Sequence, residues 1–262
     1  MNNTESQEAA FAGAWKAFQK AVKNDNAAAD MIYRSLRSDG RIKCSCSKPK
    51  ITRKRGQRFY LCMNCKKKYW FTSGTLFEGA CRLRAWLAAV WFKESGVAIS
   101  SSALGKLLDI AQSTALNIQK KVSLVLYRQM DENASSICIE RLIDSIIKRS
   151  KDTPASCHPS AEVELAREAD GSSLAGDADD QFAMPMSISA PLAGQIIYFL
   201  RQYFHGVSRK YLQLYVVAFC CFRPESKWEK RTILRACLQH PPIKYGELLE
   251  FSSPSLLKVE GF

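Results

Sequence analysis

Acidic residues are missing from one long stretch of this chain. Between Arg41 and Lys68 there is no Asp or Glu, although Arg41, Lys43, Lys48, Lys50, Arg53, Lys54, Arg55, Arg58, Lys66, Lys67 and Lys68 all fall inside it. A solvated surface usually mixes charge signs, so a merely soluble face accounts poorly for this run. Long apolar runs are missing too. No segment reaches the roughly 18 apolar residues that span a bilayer, and the longest candidates, such as LQLYVVAFCCF, are too short; no membrane partner is expected. The opening MNNTESQEAAFAG is polar and has no basic segment leading into an apolar core, so no secretory signal is read there. No internal repeat is found. With export unsupported, the ten cysteines are read as residents of a reducing compartment. That reading is cytoplasmic and, for a DNA binder, nucleoid-associated. There, closely spaced cysteines mean metal or redox chemistry and not a disulfide frame.

What is present is positive charge. The chain has 262 residues, a formal net charge of +13 and a sequence pI of about 9.3. Such a balance points to an anionic partner, most often nucleic acid, and carries no information about fold. No feature suggests a small-molecule substrate. Apolar residues make up 47%, enough for ordinary globular packing.

The patterning divides the chain. Residues 1–38 read as a helical leader, with Phe11, Trp15, Phe18 and Val22 at helical spacing. Residues 39–75 are basic and strand-like. Residues 80–130 return to a helical period. Residues 131–150 hold a short strand candidate, SSICIERLIDSIIK, and 151–190 turn small, polar and acidic. That last stretch has too little apolar surface to offset ordering entropy and reads as a disordered linker. Residues 191–250 are apolar and aromatic. Within them 192–238 reads as two helices, one striped by Ile196, Leu200, Tyr203 and Phe204, the next by Leu212, Tyr215, Val216 and Phe219. The expected class is α+β, mostly α.

Two segments carry chemistry. In KCSCSKPKITRKRGQRFYLCMNCKKKYW, Cys62 and Cys65 form a Cys-x-x-Cys knuckle, and Cys44 and Cys46 lie one hairpin upstream. Four thiolates suit tetrahedral zinc, and four protein ligands leave no open position, so the zinc would be structural. The first pair is one residue shorter than the usual knuckle, which asks for a tighter loop. The alternatives are a lost site or a redox dithiol. The other cysteines, Cys81, Cys138, Cys157, Cys220, Cys221 and Cys237, have no ligand spacing, and most of them read as small core residues. Tyr60, Tyr69, Trp70 and Phe71 interleave with the cations and would either back the strands or contact sugars and bases.

The second segment is SSALGKLLDIAQSTALNIQKK, residues 101–121. Leu104, Leu107 and Leu108 would face a core, Gly105 would admit a second helix, and Asp109-Ile110-Ala111 would turn. Ser113 would cap the next helix, with Ala115, Ile118 and Val122 inward. That leaves Gln112, Ser113, Thr114, Asn117, Lys120 and Lys121 outward, a set suited to a recognition helix in double-stranded DNA. Plain helix packing is the alternative.

The order of these parts resembles a known family. A leader ending AAADMIYRSLRSDG is followed by the cysteine ribbon, then YWFTSGTLFE, LRAWLAAVWF, the helix-turn-helix and a C-terminal RQYFHGVSRKYLQLYVVAFCCFR. This is similar to the zinc-ribbon transposases of small bacterial insertion sequences, the group related to Merlin elements. The phrase TSGTLFE looks like the family's Thr-Gly-Thr-x-Phe signature, and the C-terminal helices resemble the end of its RNase H-like catalytic domain. The likeness covers roughly residues 1–135 and 190–248. It implies a DNA-binding front and a core whose carboxylates hold two Mg2+ ions. Here the match fails. Glu140 stands near the first catalytic Asp, with an extra methylene that would displace a metal. Asp170, Asp177, Asp179 and Asp180 lie in low-complexity sequence, Ala218 replaces a frequent Glu, and Pro224 follows Arg223 where Asn is common. His205 fits a motif position and reads as structural. The implied protein is a transposase-derived DNA binder without strand-transfer activity, a regulator or a remnant, with the C-terminal helices packing on the front or making a homodimer. The alternatives are a functional transposase with a diverged, Mg2+-dependent core and a protein-interaction module.

Overall fold

The computed structural model describes residues 3–130, 134–138, 190–204, 207–223, 231–253 and 256–259. In chain order the elements are α1 (Asn3–Ala21), α2 (Asp25–Ser38), β1 (Ile51–Thr52), β2 (Phe59–Cys62), β3 (Lys68–Trp70), α3 (Leu83–Glu94), α4 (Ser101–Leu108), α5 (Gln112–Gln129), β4 (Ser135–Cys138), α6 (Ala190–Phe204), α7 (Leu212–Phe222), α8 (Thr232–Gln239), α9 (Tyr245–Glu250) and β5 (Leu256–Val259). The class is α+β and mostly helical. No helix among the described residues is long and apolar enough to cross a membrane. Glu140, His205, Pro224, Cys157, the four linker aspartates and the whole of 151–189 lie outside the described residues.

The chain folds as two compact units. One comprises Met1–Gln129 with Cys221–Glu250, the other Met130–Cys220 with Phe251–Phe262. The stretch 191–250, continuous in its apolar character, is therefore shared between them.

In the first unit α3 is the central helix. Leu83, Ala85, Leu87, Ala88, Ala89, Val90 and Phe92 are all buried, which wraps more than one face. A helix apolar on most sides needs neighbours all round. The aromatic stripe of α1 supplies one. Phe11 stacks on Phe92 with ring centroids 5.5 Å apart, and Phe18 meets Trp91 edge-on at 5.8 Å. Asn24 breaks the leader into two helices by capping α2, its Oδ1 accepting from the Ala27 N–H at 2.9 Å. Helix α2 then buries Ala28, Ala29, Ile32, Tyr33 and Leu36. Asp25, at its start, reaches the first turn of α3, where Oδ1 accepts from the Arg84 N–H at 2.9 Å. Helix α8 closes the unit from far along the chain. Ile233, Ala236, Cys237 and Leu238 are buried, and Glu94 Oε1 accepts from the Leu234 N–H at 2.9 Å, occupying one of the free donors of the helix start.

Between β3 and α3, Thr72 to Glu78 folds into a tight knot that buries Thr72, Thr75, Leu76 and Phe77. Thr75 Oγ1 donates to the Thr72 carbonyl at 2.7 Å and accepts from the Phe77 N–H at 3.2 Å. The Leu76 N–H donates to the Cys237 carbonyl at 3.1 Å. Phe77 is fully buried and packs edge-on against Trp86. The Thr-Ser-Gly-Thr phrase thus plays a local structural part. The Thr75 hydroxyl satisfies backbone groups where a chain without regular structure passes through a core.

In the second unit β4 and β5 pair antiparallel, Ser135 opposite Val259 and Cys138 opposite Leu256. Phe199 of α6 meets Phe219 of α7 at 5.4 Å. Gln213 is completely buried and acts as a strand would. Its Oε1 accepts from the Lys258 N–H at 2.8 Å, and its Nε2 donates to the Lys258 carbonyl at 2.9 Å. The two-helix expectation for 192–238 meets three helices, because α8 starts anew at Thr232 and belongs to the other unit.

Candidate metal centre and basic surface

The three short strands pair antiparallel in the order β1-β2-β3, with Ile51 opposite Cys62, Phe59 opposite Trp70 and Leu61 opposite Lys68. Alternation along β2 sends Tyr60 and Cys62 inward and Phe59 and Leu61 to the other face. The inner face leans on α2, where the Tyr33 ring meets Tyr60 at 6.3 Å and Phe71 at 5.6 Å.

Cys44 and Cys46 come from the loop before β1, Cys62 ends β2, and Cys65 sits in the turn before β3. Their sulfurs all lie within 4.8 Å of one another. Cys44 Sγ is 3.4 Å from both Cys46 and Cys65, and Cys46 Sγ is 3.4 Å from Cys62. A tetrahedral zinc tetrathiolate has sulfurs about 3.8 Å apart, given bonds of about 2.3 Å. Three of the sulfur pairs are slightly closer than that and all lie within 4.8 Å, so the four side chains could hold such an ion. The short Cys-x-Cys loop is wide enough. The knuckle at Cys62 closes because Lys66 adopts left-handed backbone (φ 57°), which lets the Cys62 N–H reach the Lys67 carbonyl at 3.0 Å.

The electrostatics separate the thiols. The backbone N–H of Cys65, with those of Lys50 and Asn64, donates toward Cys62 and draws its pKa down to about 6. The Tyr69 hydroxyl, 3.2 Å from Cys44 Sγ, lowers Cys44. Cys46 is pushed up to about 12 by the hydrogen bonds and charges of Cys44 and Cys62. Cys65 is raised as well: the Lys67 N–H favours its thiolate, but burial and the neighbouring sulfurs prevail. Protein hydrogen-bond donors thus favour the thiolate at Cys44 and Cys62, while the neighbouring sulfurs disfavour it at Cys46 and Cys65, the repulsion that a bound cation would relieve.

The surrounding cations sort into three groups. Arg53 is structural. Its side chain is 7% exposed, pairs with Asp30 of α2 at 2.7 Å and lies over the Tyr33 ring at 4.5 Å. Arg58 donates to the Ala80 and Cys81 carbonyls at 2.6 and 2.7 Å, and Arg41 donates to the Leu238 carbonyl of α8. These three hold the ribbon to the helices, so their presence in the basic run does not make them free contacts. Arg55 pairs with Asp30 at 3.3 Å yet stays 96% exposed. Lys43, Lys48, Lys50, Lys54, Lys66, Lys67 and Lys68 are all exposed. Sequence reasoning missed Asp30 as the acid that docks the ribbon, because it lies outside the basic stretch. Its signal is Gly56, whose φ of +80° strains any L side chain and whose Cβ would crowd the Asn26 side chain, and whose N–H donates to Asp30 at 2.8 Å.

The α4–α5 hairpin turns where expected. Ser100 caps α4, its Oγ accepting from the Ala103 N–H at 3.2 Å, and Asp109 takes the left-handed conformation (φ 52°) that ends the helix. Leu104 and Leu108 are buried and Leu107 is half-buried. Helix α5 already begins at Gln112, so Ser113 lies in its first turn and is not its cap. Gln112, Ser113 and Thr114 are exposed; Asn117, Lys120 and Lys121 are half-buried. The Asn117 Oδ1 is enclosed without a hydrogen-bond partner, and burial lowers the Lys121 pKa against the pull of Glu247. The outward polar surface is thus concentrated at the start of α5. Of the remaining cysteines whose side chains are described, Cys220, Cys221 and Cys237 are buried and Cys81 is exposed, in line with a core role expected for most of them.

In comparisons with known proteins the chain matches no family model, no curated protein and no solved structure.

Proposed function

We propose that the protein binds double-stranded DNA through a zinc ribbon and a neighbouring helix-turn-helix, that it descends from an insertion-sequence transposase, and that it acts without strand transfer. The observation that carries the DNA reading is the coincidence, in one unit, of a thiol cluster able to hold a metal and a sheet rim from which seven exposed lysines and Arg55 project with no acid between residues 41 and 68. The start of α5 offers Gln112, Ser113 and Thr114 in addition, residue types that reach base edges and phosphates. Zinc would be structural, fixing three strands too short to hold together alone.

Fluorescence anisotropy of the full zinc-loaded chain on labelled duplex DNA tests this. With about five rim cations on phosphates, the affinity should fall with salt at a log–log slope of roughly −4 to −5. Stripping the metal with a chelator should abolish most of the binding. Reversing Lys54, Lys66 and Lys67 to Glu should flatten the slope by about three. Binding that ignores both salt and chelation would sink the proposal. Magnesium-dependent joining of terminal-repeat DNA, lost in Glu140→Gln, would replace it with an active transposase.

A further inference from the structure

The ribbon has two faces, and among the described residues only the inner one is packed against the helices. Tyr60, Cys62 and Tyr69 point toward α2 and the sulfurs. Phe59, Leu61, Lys68 and Trp70 share the opposite face, which the strand register makes contiguous: Phe59 opposes Trp70 and Leu61 opposes Lys68. Trp70 is 52% exposed, Met63 42% and Leu61 36%. The Phe59 and Trp70 rings meet edge-to-face at 5.6 Å, and Lys68 Nζ lies 3.8 Å from the Phe59 centroid and 4.6 Å from the Trp70 centroid. Packing within the fold does not explain an aromatic pair with an ammonium over it on an open sheet face. Exposed apolar surface of this kind marks a contact site.

The charge around it selects the occupant. Lys54, Arg55, Lys66 and Lys67 are exposed in the connections between the same three strands, and no acid lies between residues 41 and 68. A protein surface complementary to so one-sided a field would itself have to be strongly acidic. Nucleic acid supplies the phosphates, but a duplex keeps its base faces stacked and gives an indole nothing to stack on. Unpaired bases offer both parts: a ring face for Trp70 and Phe59 and a phosphate for Lys68.

We infer that the outer face of the ribbon sheet binds single-stranded nucleic acid, an unpaired base stacking on Trp70 beside Phe59 while the Lys68 ammonium moves from the rings to the adjoining phosphate. The inference rests on the nucleic-acid reading above and adds a second mode to it: cations and α5 for the duplex, the aromatic face for a frayed or looped strand.

The test uses the full zinc-loaded chain with two probes, single-stranded oligothymidylate and a duplex of equal length. Trp70→Ala should weaken oligothymidylate binding about tenfold, the loss of one stacked base, and change duplex affinity less than about twofold. Trp70→Phe should keep most of the single-strand affinity, since a ring remains. Metal content and the circular dichroism spectrum should be unchanged in both, because Trp70 is outside the core. Equal losses on both probes, or no loss on oligothymidylate, would overturn the inference. So would a Trp70→Ala protein that keeps its single-strand affinity but loses self-association in sedimentation, which would make this face a contact between copies. If the parent chain binds duplex but not oligothymidylate, this inference fails alone; if it binds neither, the duplex proposal fails with it.

Discussion

Asp30 shows how much one side chain can organise. It sits in α2 with 13% of its side chain exposed and receives Arg53 at 2.7 Å, Arg55 at 3.3 Å and the Gly56 N–H at 2.8 Å. Burial by itself would raise its pKa. The Gly56 N–H and the two guanidinium groups outweigh burial and hold the carboxyl below its ordinary 3.8. Asp30→Ala would leave Arg53 enclosed between Tyr33 and Phe71 with no counter-charge. Removing one partner of an enclosed pair is costly, and we expect a loss of about 2–3 kcal/mol in urea unfolding, nearer the lower figure because the second partner, Arg55, is 96% exposed and its pairing is screened by water. The pH dependence has a definite sign. The folded carboxyl binds its proton less tightly than the unfolded one, so its contribution is complete above about 3.8 and drains away as pH falls through the folded value. The parent should therefore lose stability below about pH 4 more steeply than Asp30→Ala. Parallel acid limbs in the two proteins would show that the ion pairs contribute nothing.

At the scale of elements, the α4–α5 turn depends on a missing side chain. A Cβ built on Gly105 would stand 2.9 Å from the Ile110 carbonyl oxygen and 3.5 Å from the Gln112 Cα. Both are backbone atoms of the turn and cannot swing aside. Gly105→Ala should open the hairpin and cost about 1–3 kcal/mol, despite alanine's better helix propensity. Gly194, which has open space around it, should gain from the same change by about 0.5–1 kcal/mol; thermal melts of the two variants should move in opposite directions. This turn was legible because its signals are local: a glycine between leucines, a polar residue at the helix start, an apolar residue at turn position Ile110. The four cysteines were legible for the same reason. The roles of the cations were not. Arg53 and Lys54 are neighbours in sequence and identical in charge, yet one lies under an aromatic roof and the other in solvent. Only the strand register and the position of α2 decide between them, and neither is written in a window of adjacent residues. The aromatic run divides likewise: Phe71 is buried, Tyr69 faces Cys44, and Trp70 between them points out.

For the molecule as a whole, the informative surprise is α8. Its apolar positions, Ile233, Ala236, Cys237 and Leu238, read as part of a C-terminal block, yet they complete the core built by the first half of the chain. Three links tie it there. Glu94 accepts from the Leu234 N–H, the Cys237 carbonyl accepts from the Leu76 N–H in the Thr-Ser-Gly-Thr knot, and the Leu238 carbonyl accepts from Arg41 at the entrance to the ribbon. Local pattern could show that 232–239 is amphipathic but not which unit it would cover, since that choice spans more than a hundred residues of intervening chain and is settled by shape complementarity. If α8 is a structural part of the first unit, damage to it must be felt at the ribbon. Ile233 is fully buried, and Ile233→Ala should cost about 2–5 kcal/mol through lost burial and the cavity left behind. That is a large share of a typical domain's stability of about 5–15 kcal/mol. The unfolding midpoint followed by tryptophan emission should fall, and the metal should become easier for a chelator to extract, because Arg41 and the Leu76 N–H lose their fixed carbonyls together. Leu249→Ala, on α9 and 43% exposed, serves as the control and should change neither. An Ile233→Ala protein with a lowered midpoint but unaltered metal retention would mean that the ribbon stands on α2 and Asp30 alone.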